Sequence, residues 1–152
     1  MSDDTFEVGL EPGFRLPGMA DFQRPRIEEM LAADNYARGL GVELVAVGAD
    51  SVTVALDVTD AHTNFLGVGH GGMLFSLADC VFSLASNAAG DRAVAIDTHL
   101  VLTAASRPGD RLTAVIREAS RGRALGTYQV EVTRQDGRTV GLFTGTVYIS
   151  TD

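Results

Sequence analysis

Asp79 lies in the middle of MLFSLADCVFSLASNAAG (73–90), the longest apolar stretch of this 152-residue chain. An ionised carboxylate is expensive to bury without a partner, so chance rarely leaves one in such a place. Counted at helical spacing, Ser76, Asp79, Ser83 and Asn87 form one narrow polar stripe on an otherwise apolar helix. Such a stripe faces water, caps a neighbouring element, or lines a pocket with Asp79 as its reactive group. Directly upstream, Gly67-Val68-Gly69-His70-Gly71-Gly72 runs into the helix. Backbone N–H groups at a helix start, with the positive end of the dipole behind them, stabilise an anion or a developing oxyanion. Glycine lets a ligand approach that backbone closely. One short segment therefore offers a carbonyl-polarising site and, two turns later, a carboxylate able to activate water or to attack directly. These are the two halves of a hydrolytic acyl transfer.

Composition narrows the alternatives. The formal charge is −8, which argues against a nucleic-acid-binding surface. All 12 basic residues are arginine, which excludes lysine nucleophiles, lysine Schiff bases and a Walker-type phosphate loop. A single cysteine, Cys80, excludes an internal disulfide and a multi-thiolate metal site. His62, His70 and His99 lack metal-ligand spacing, so no metal is expected. The segment GVGHGG also fits G-x-G-x-x-G, but it is detached from the preceding strand and no further strand–helix units follow it. No G-x-S-x-G accompanies His70-Gly71-Gly72, against an α/β-hydrolase. Asp57 and His62 have the spacing used by some enoyl-CoA hydratases. The Asn-Pro expected between such a pair is missing, however, and Asp57 falls on the outward face of a strand.

The elements that must position Asp79 follow from pattern. Residues 1–23 show no periodicity and read as an N-terminal arm, with one domain over 24–152. RIEEMLAADNYARG (26–39) predicts a helix opened by Pro25 and stopped by Gly39. LGVELVAV (40–47) and SVTVALDV (51–58) predict strands, the second with strict alternation. A loop of four glycines (59–72) precedes the long apolar helix (73–90). Four strands follow, over 93–105, 111–120, 124–134 and 139–150, with turns at Pro108-Gly109-Asp110, Arg121-Gly122 and Asp136-Gly137. Adjacent strands without intervening helices imply an antiparallel sheet, here an α+β fold whose sheet curls around one long helix. No apolar run approaches the ~20 residues of a membrane span. The acidic start lacks the apolar core of a signal peptide, so the cytoplasm is expected.

The segment HTNFLGVGHGGMLFSLAD (62–79) resembles the motif of hotdog-fold acyl-CoA thioesterases, above all the PaaI-like group of phenylacetate degradation. Asn64 and Asp79 stand 15 residues apart with His-Gly-Gly between them, and the likeness runs from about residue 28 to 150. The resemblance implies an antiparallel sheet wrapped around one long central helix. It implies Asp79 as general base or nucleophile and Gly71 as backbone donor to the thioester carbonyl. His70 and Asn64 would then orient substrate or water, with Gly72 and Ser83 beside the substrate. It also implies a homodimer with shared active sites, commonly paired into a homotetramer, acting without a resident cofactor on an aryl-acetyl or medium-sized acyl-CoA. Some relatives hold the water with a serine where this chain has Ala95, which leaves Thr98 or Ser83 as candidates. Others have an asparagine where this chain has Ala33, next to Asp34, so no role is carried to that helix. The nucleotide end of coenzyme A runs along the late strands in the family, which implicates Arg121 and Arg123 of ASRGRALG. Residues 92–152 carry 8 arginines against 6 acids, in keeping with an anion-binding rim. The other functions to weigh are a non-catalytic acyl-CoA-binding module and, further off, an enoyl-CoA hydratase.

Overall fold

The computed structural model describes residues 23–150; the expected arm lies outside them except for Gln23. The elements run α1 (Arg24–Ala33), α2 (Asn35–Leu40), β1 (Glu43–Val47), β2 (Val52–Asp57), a 3-10 turn (Asp60–His62) and α3 (Gly71–Asn87). The strands β3 (Arg92–Leu102), β4 (Arg111–Arg121), β5 (Leu125–Arg134) and β6 (Thr139–Ser150) complete the chain. All six strands form one sheet in the order β1-β2-β4-β5-β6-β3, with every pairing antiparallel. The sheet wraps around α3, as the run of late strands implies.

Three boundaries differ from the sequence expectation. The first helix is two helices, because Asp34 leaves helical geometry (φ −82°, ψ 96°) and its side chain caps α2 by accepting from the Ala37 N–H at 2.9 Å. The stop is Gly41, whose φ of +85° only glycine adopts readily, rather than Gly39. The long helix begins at Gly71 and ends at Asn87, so two glycines assigned to the loop form its first turn.

Packing explains why α3 tolerates so little polarity. Leu74, Leu77, Ala78, Val81, Phe82 and Ala85 are buried against the inner face of the sheet. That face is built by alternation: Val52, Val54 and Leu56 on β2, Leu112, Ala114 and Ile116 on β4, and Val130 and Val132 on β5. Phe82 makes edge contacts with Tyr128 (ring centroids 5.7 Å) and Phe143 (5.5 Å). Gly145 on β6 makes room for it, since a Cβ there would stand 2.7 Å from Phe82 Cζ.

The two sheet edges differ. β1 has 5 residues and a bulge between Leu44 and Ala46. β3 has 11 residues and exposes Val94, Ile96 (59%), Val101 and Leu102. A long apolar edge with unpaired backbone groups is a template for another strand.

Replacing Gly145 with alanine overpacks the aromatic cluster. It is expected to destabilise the protein by about 1–3 kcal/mol, read as a lower midpoint in urea unfolding.

Candidate active site

The approach to α3 is held by side chains that fold the loop onto itself. Asn64 Oδ1 accepts from the Leu66 N–H at 2.9 Å and the Val68 N–H at 3.4 Å, while the Asn64 N–H donates to the Val68 carbonyl at 2.8 Å. Gly67 completes the turn at φ +73°. His62 Nδ1 accepts from the Thr59 N–H at 3.0 Å, and the His62 carbonyl accepts from the His70 N–H at 2.8 Å. Asp57, its sequence partner in the hydratase pattern, is instead ion-paired with Arg111 at 3.0 Å. The structure thus uses both residues to hold the fold and does not bring them together as an acid–base pair.

His70 caps α3. Its Nδ1 accepts from the Gly72 N–H at 2.8 Å, and its carbonyl accepts from the Met73 and Leu74 N–H groups at 3.0 and 3.3 Å. Gly72 is therefore not a free donor, contrary to what an open helix start suggests. The Gly71 N–H is left over, with no acceptor among the described residues. Gly71 lines a cleft of about 330 Å³ together with Asn64, Leu74, Leu102 and Ser106. A Cβ at position 71 would stand 3.0 Å from Leu102 Cδ1, so the exposed tip of that leucine would have to shift a few tenths of an ångström to admit one. His70 and Gly72 line a separate hollow of about 280 Å³ with Tyr36, His62 and Met73.

Asp79 is partly buried on the outward side of α3. Burial, and then the charge of Asp34, lift its carboxyl above the usual range. No hydrogen bond or ion pair engages it among the described residues. The rest of the stripe divides. Ser76 bonds Tyr36 Oη at 2.9 Å and donates to the Gly72 carbonyl at 2.7 Å. Asn87 ties the helix end to β3, donating to the Ala93 carbonyl at 3.1 Å and accepting from the Ala93 N–H at 3.0 Å. Ser83 is exposed, one turn beyond Asp79. The stripe is thus structural at its ends and free at Asp79 and Ser83. Cys80, off the stripe, is buried in the core, and its thiol is pushed up to about 12.

The two arginines of the β4–β5 hairpin separate. Arg121 reaches inward, paired with Asp91 at 2.7 Å and Glu118 at 3.5 Å and donating to Tyr128 Oη at 3.2 Å. Glu118 is 3% exposed and accepts from Tyr128 Oη at 3.0 Å. Arg121 is thus committed to a buried acid rather than presented to a ligand; Arg123 is exposed. Sequence reasoning missed Asp34, although an aspartate just before a short helix is a recognised cap signal, and it missed the buried Ser106 of the cleft.

Comparison with known proteins agrees with this architecture. The model of the thioesterase superfamily matches residues 66–141, and the chain belongs to that superfamily and has its hotdog fold. A Deinococcus radiodurans relative is 44% identical over 76% of this chain and 79% of its own length. The acyl-coenzyme A thioesterase PaaI of Escherichia coli is 34% identical over 76% of this chain and 83% of its own. The structure of the E. coli PaaI protein from the phenylacetic acid degradation operon covers 85% of this chain and 94% of its own, with a TM-score of 0.79 and 29% identity. A hypothetical thioesterase of Streptococcus pneumoniae solved with coenzyme A covers 72% of this chain and 88% of its own, with a TM-score of 0.68 and 28% identity.

Removing Arg121 by alanine substitution leaves Glu118 buried without its cation and is expected to cost about 1–3 kcal/mol, whereas Arg123→Ala leaves the unfolding midpoint unchanged. A second outcome concerns pH. Burial outweighs the bonds from Tyr128 and Arg121 and lifts Glu118 above its ordinary value of 4.5. The folded state then holds this proton more tightly than the unfolded chain does. Its stabilisation is complete below pH 4.5 and lost as pH rises through the lifted value. In Glu118→Gln that part of the stability–pH curve flattens.

Proposed function

We propose that this protein hydrolyses acyl-CoA thioesters at a site shared between two subunits. The observation that carries the proposal is the unpartnered, partly desolvated Asp79 on the same helix as the free Gly71 N–H. They stand eight positions apart, about 12 Å along the helix axis. A thioester carbonyl and the water that attacks it lie within a few ångströms of each other. One subunit therefore cannot offer both groups to one substrate, and the second group comes from another copy. The exposed edge of β3 supports this pairing, since two copies joined edge to edge bury the apolar residues of both. Coenzyme A bound to a relative, and the name of the E. coli relative, support an acyl-CoA as substrate.

In the chemistry we infer, the thioester oxygen accepts from the Gly71 N–H beside Asn64. Asp79 of the partner subunit takes a proton from water as the water oxygen bonds to the carbonyl carbon, or its carboxylate attacks that carbon itself. The tetrahedral adduct collapses by breaking the C–S bond, and the departing thiolate takes up a proton to leave as coenzyme A. With direct attack, water then cleaves the resulting anhydride. No resident cofactor is needed, because coenzyme A enters as part of the substrate. Exposed Arg123 is the arginine of its hairpin left to meet the coenzyme's phosphates. An aryl-acetyl or medium-sized acyl group accompanies this proposal, supported by the likeness to the PaaI protein of the phenylacetic acid degradation operon. A tetramer of paired dimers and a cytoplasmic setting complete the proposal.

Asp79→Asn is expected to lower kcat for acyl-CoA hydrolysis at least ~100-fold, measured as thiol release. Mixed and refolded with Gly71→Pro subunits, which lack that N–H at a first helical position where proline is tolerated, it regains activity, because half of the mixed dimers' sites then hold neither lesion. No regain on mixing would overturn the shared site. Tight acyl-CoA binding without turnover in the unaltered protein would identify a binding module instead.

A further inference from the structure

The loop that leads into α3 ends in an apolar tip. Turns in water favour Gly, Pro, Asn, Asp and Ser. Yet Phe65 and Leu66 fill the two central positions of the turn closed by the Gly67 N–H on the Asn64 carbonyl at 2.9 Å, and they are 96% and 69% exposed. No large apolar side chain among the described residues is more exposed than Phe65. The base of the tip is fixed. Thr63 and Gly69 pair across it, and the Gly69 N–H donates to the Ser106 carbonyl at 2.7 Å. Ser106 follows β3 in the chain, so the tip is fastened beside the Leu102 end of that strand. Asn64, Gly71 and Leu102 accordingly line one cleft.

Symmetry says where a second copy stands if the site is shared as proposed above. In a two-fold dimer, residue i meeting residue j of the partner means that j also meets i. Gly71 of each copy then lies at Asp79 of the other, so the two α3 rods run side by side in opposite directions. The start of each rod faces the far half of the other, from Asp79 toward Ser83 and Asn87. The edge of β3 leads to the same corner. Two such edges joined about a two-fold axis are antiparallel, so the Leu102 end of one strand reaches the Arg92 end of the other. Helix tail and strand start are one place, because Asn87 is bonded to both the N–H and the carbonyl of Ala93. Val94 and Ile96 are exposed there and match an apolar tip.

We propose that Phe65 and Leu66 form a clasp that docks on a second copy of this chain, at the corner where the tail of its α3 meets the start of its β3. The clasp rests on the shared site of the proposed function. Each copy gives one tip and receives one, so two clasps close the dimer, one at either end. Asn64, next to Phe65, lines the Gly71 cleft. Docking of the tip therefore sets that cleft against the partner and couples formation of the interface to completion of the site.

The test uses the full-length protein. Phe65→Cys subunits and Ser83→Cys subunits are refolded together and treated with a short bismaleimide. Cys80 is buried, so the unaltered protein gives the blank. Linked dimers are expected from the mixture, and neither variant alone should exceed the blank. Phe65→Asp is expected to raise the dimer dissociation constant at least ~10-fold, read by sedimentation, with the far-UV circular dichroism retained. Its acyl-CoA hydrolysis should fall at low protein concentration and return as the concentration is raised. Should Phe65→Asp fail to fold, Phe65→Ser takes its place. No linked dimer in the mixture, linkage in Phe65→Cys alone, or an unchanged dissociation constant overturns the clasp. Linkage in a protein that, unaltered, releases no thiol from acyl-CoAs leaves the clasp standing and removes the thioesterase function. Thiol release without linkage removes the clasp alone.

Discussion

An α-helix advances about 1.5 Å per residue, and that pitch governs how this protein can work. Gly71, with its free N–H, opens α3, and Asp79 stands two turns along the same rod. No side-chain rotation closes that distance. The geometry that makes α3 a good core element, straight and apolar on most sides, also keeps the two reactive features apart. In the function proposed, a second copy supplies the missing half of the site and the β3 edge is the place to receive it. On that reading fold, assembly and chemistry are linked through one helix that cannot bend to bring its own groups together.

Much of this was legible in the sequence because it rests on period and composition. Val52, Val54 and Leu56 alternate as a half-buried strand must, and they form the inner face of β2. The apolar run of α3 could satisfy its surface only inside a sheet, and there it lies. Asp79 stood out for a thermodynamic reason, the cost of a carboxylate among Leu, Phe and Val, and that cost reappears as its raised proton affinity. What stayed hidden depended on competition for hydrogen bonds. A glycine-led helix start looks like a row of free donors, yet His70 claims the Gly72 N–H and leaves Gly71. Asp34 looked like one more polar residue within a helix, because its cap is a single local bond to the Ala37 N–H that hydrophobic spacing does not register.

The arginines show the limit of reading charge from composition. The excess of arginine over acid in the second half suggested a surface for anions. Arg111, Arg121 and Arg134 are instead spent on acids of the same chain, and Arg121 reaches a glutamate that the sheet has buried. A guanidinium is long and multiply donating, so it serves interior acids from the surface. Lysine does this less well, and this chain has none.

Asn87 has a bearing on what a neighbouring molecule would meet at the sheet edge. Its amide grips Ala93 through both the carbonyl and the N–H while also holding the Ser83 carbonyl at 3.0 Å. One side chain thereby splices the tail of α3 to the first residues of the outermost strand. A molecule seated on that rim would abut a strand already anchored to the helix that carries Asp79, not a loose ribbon.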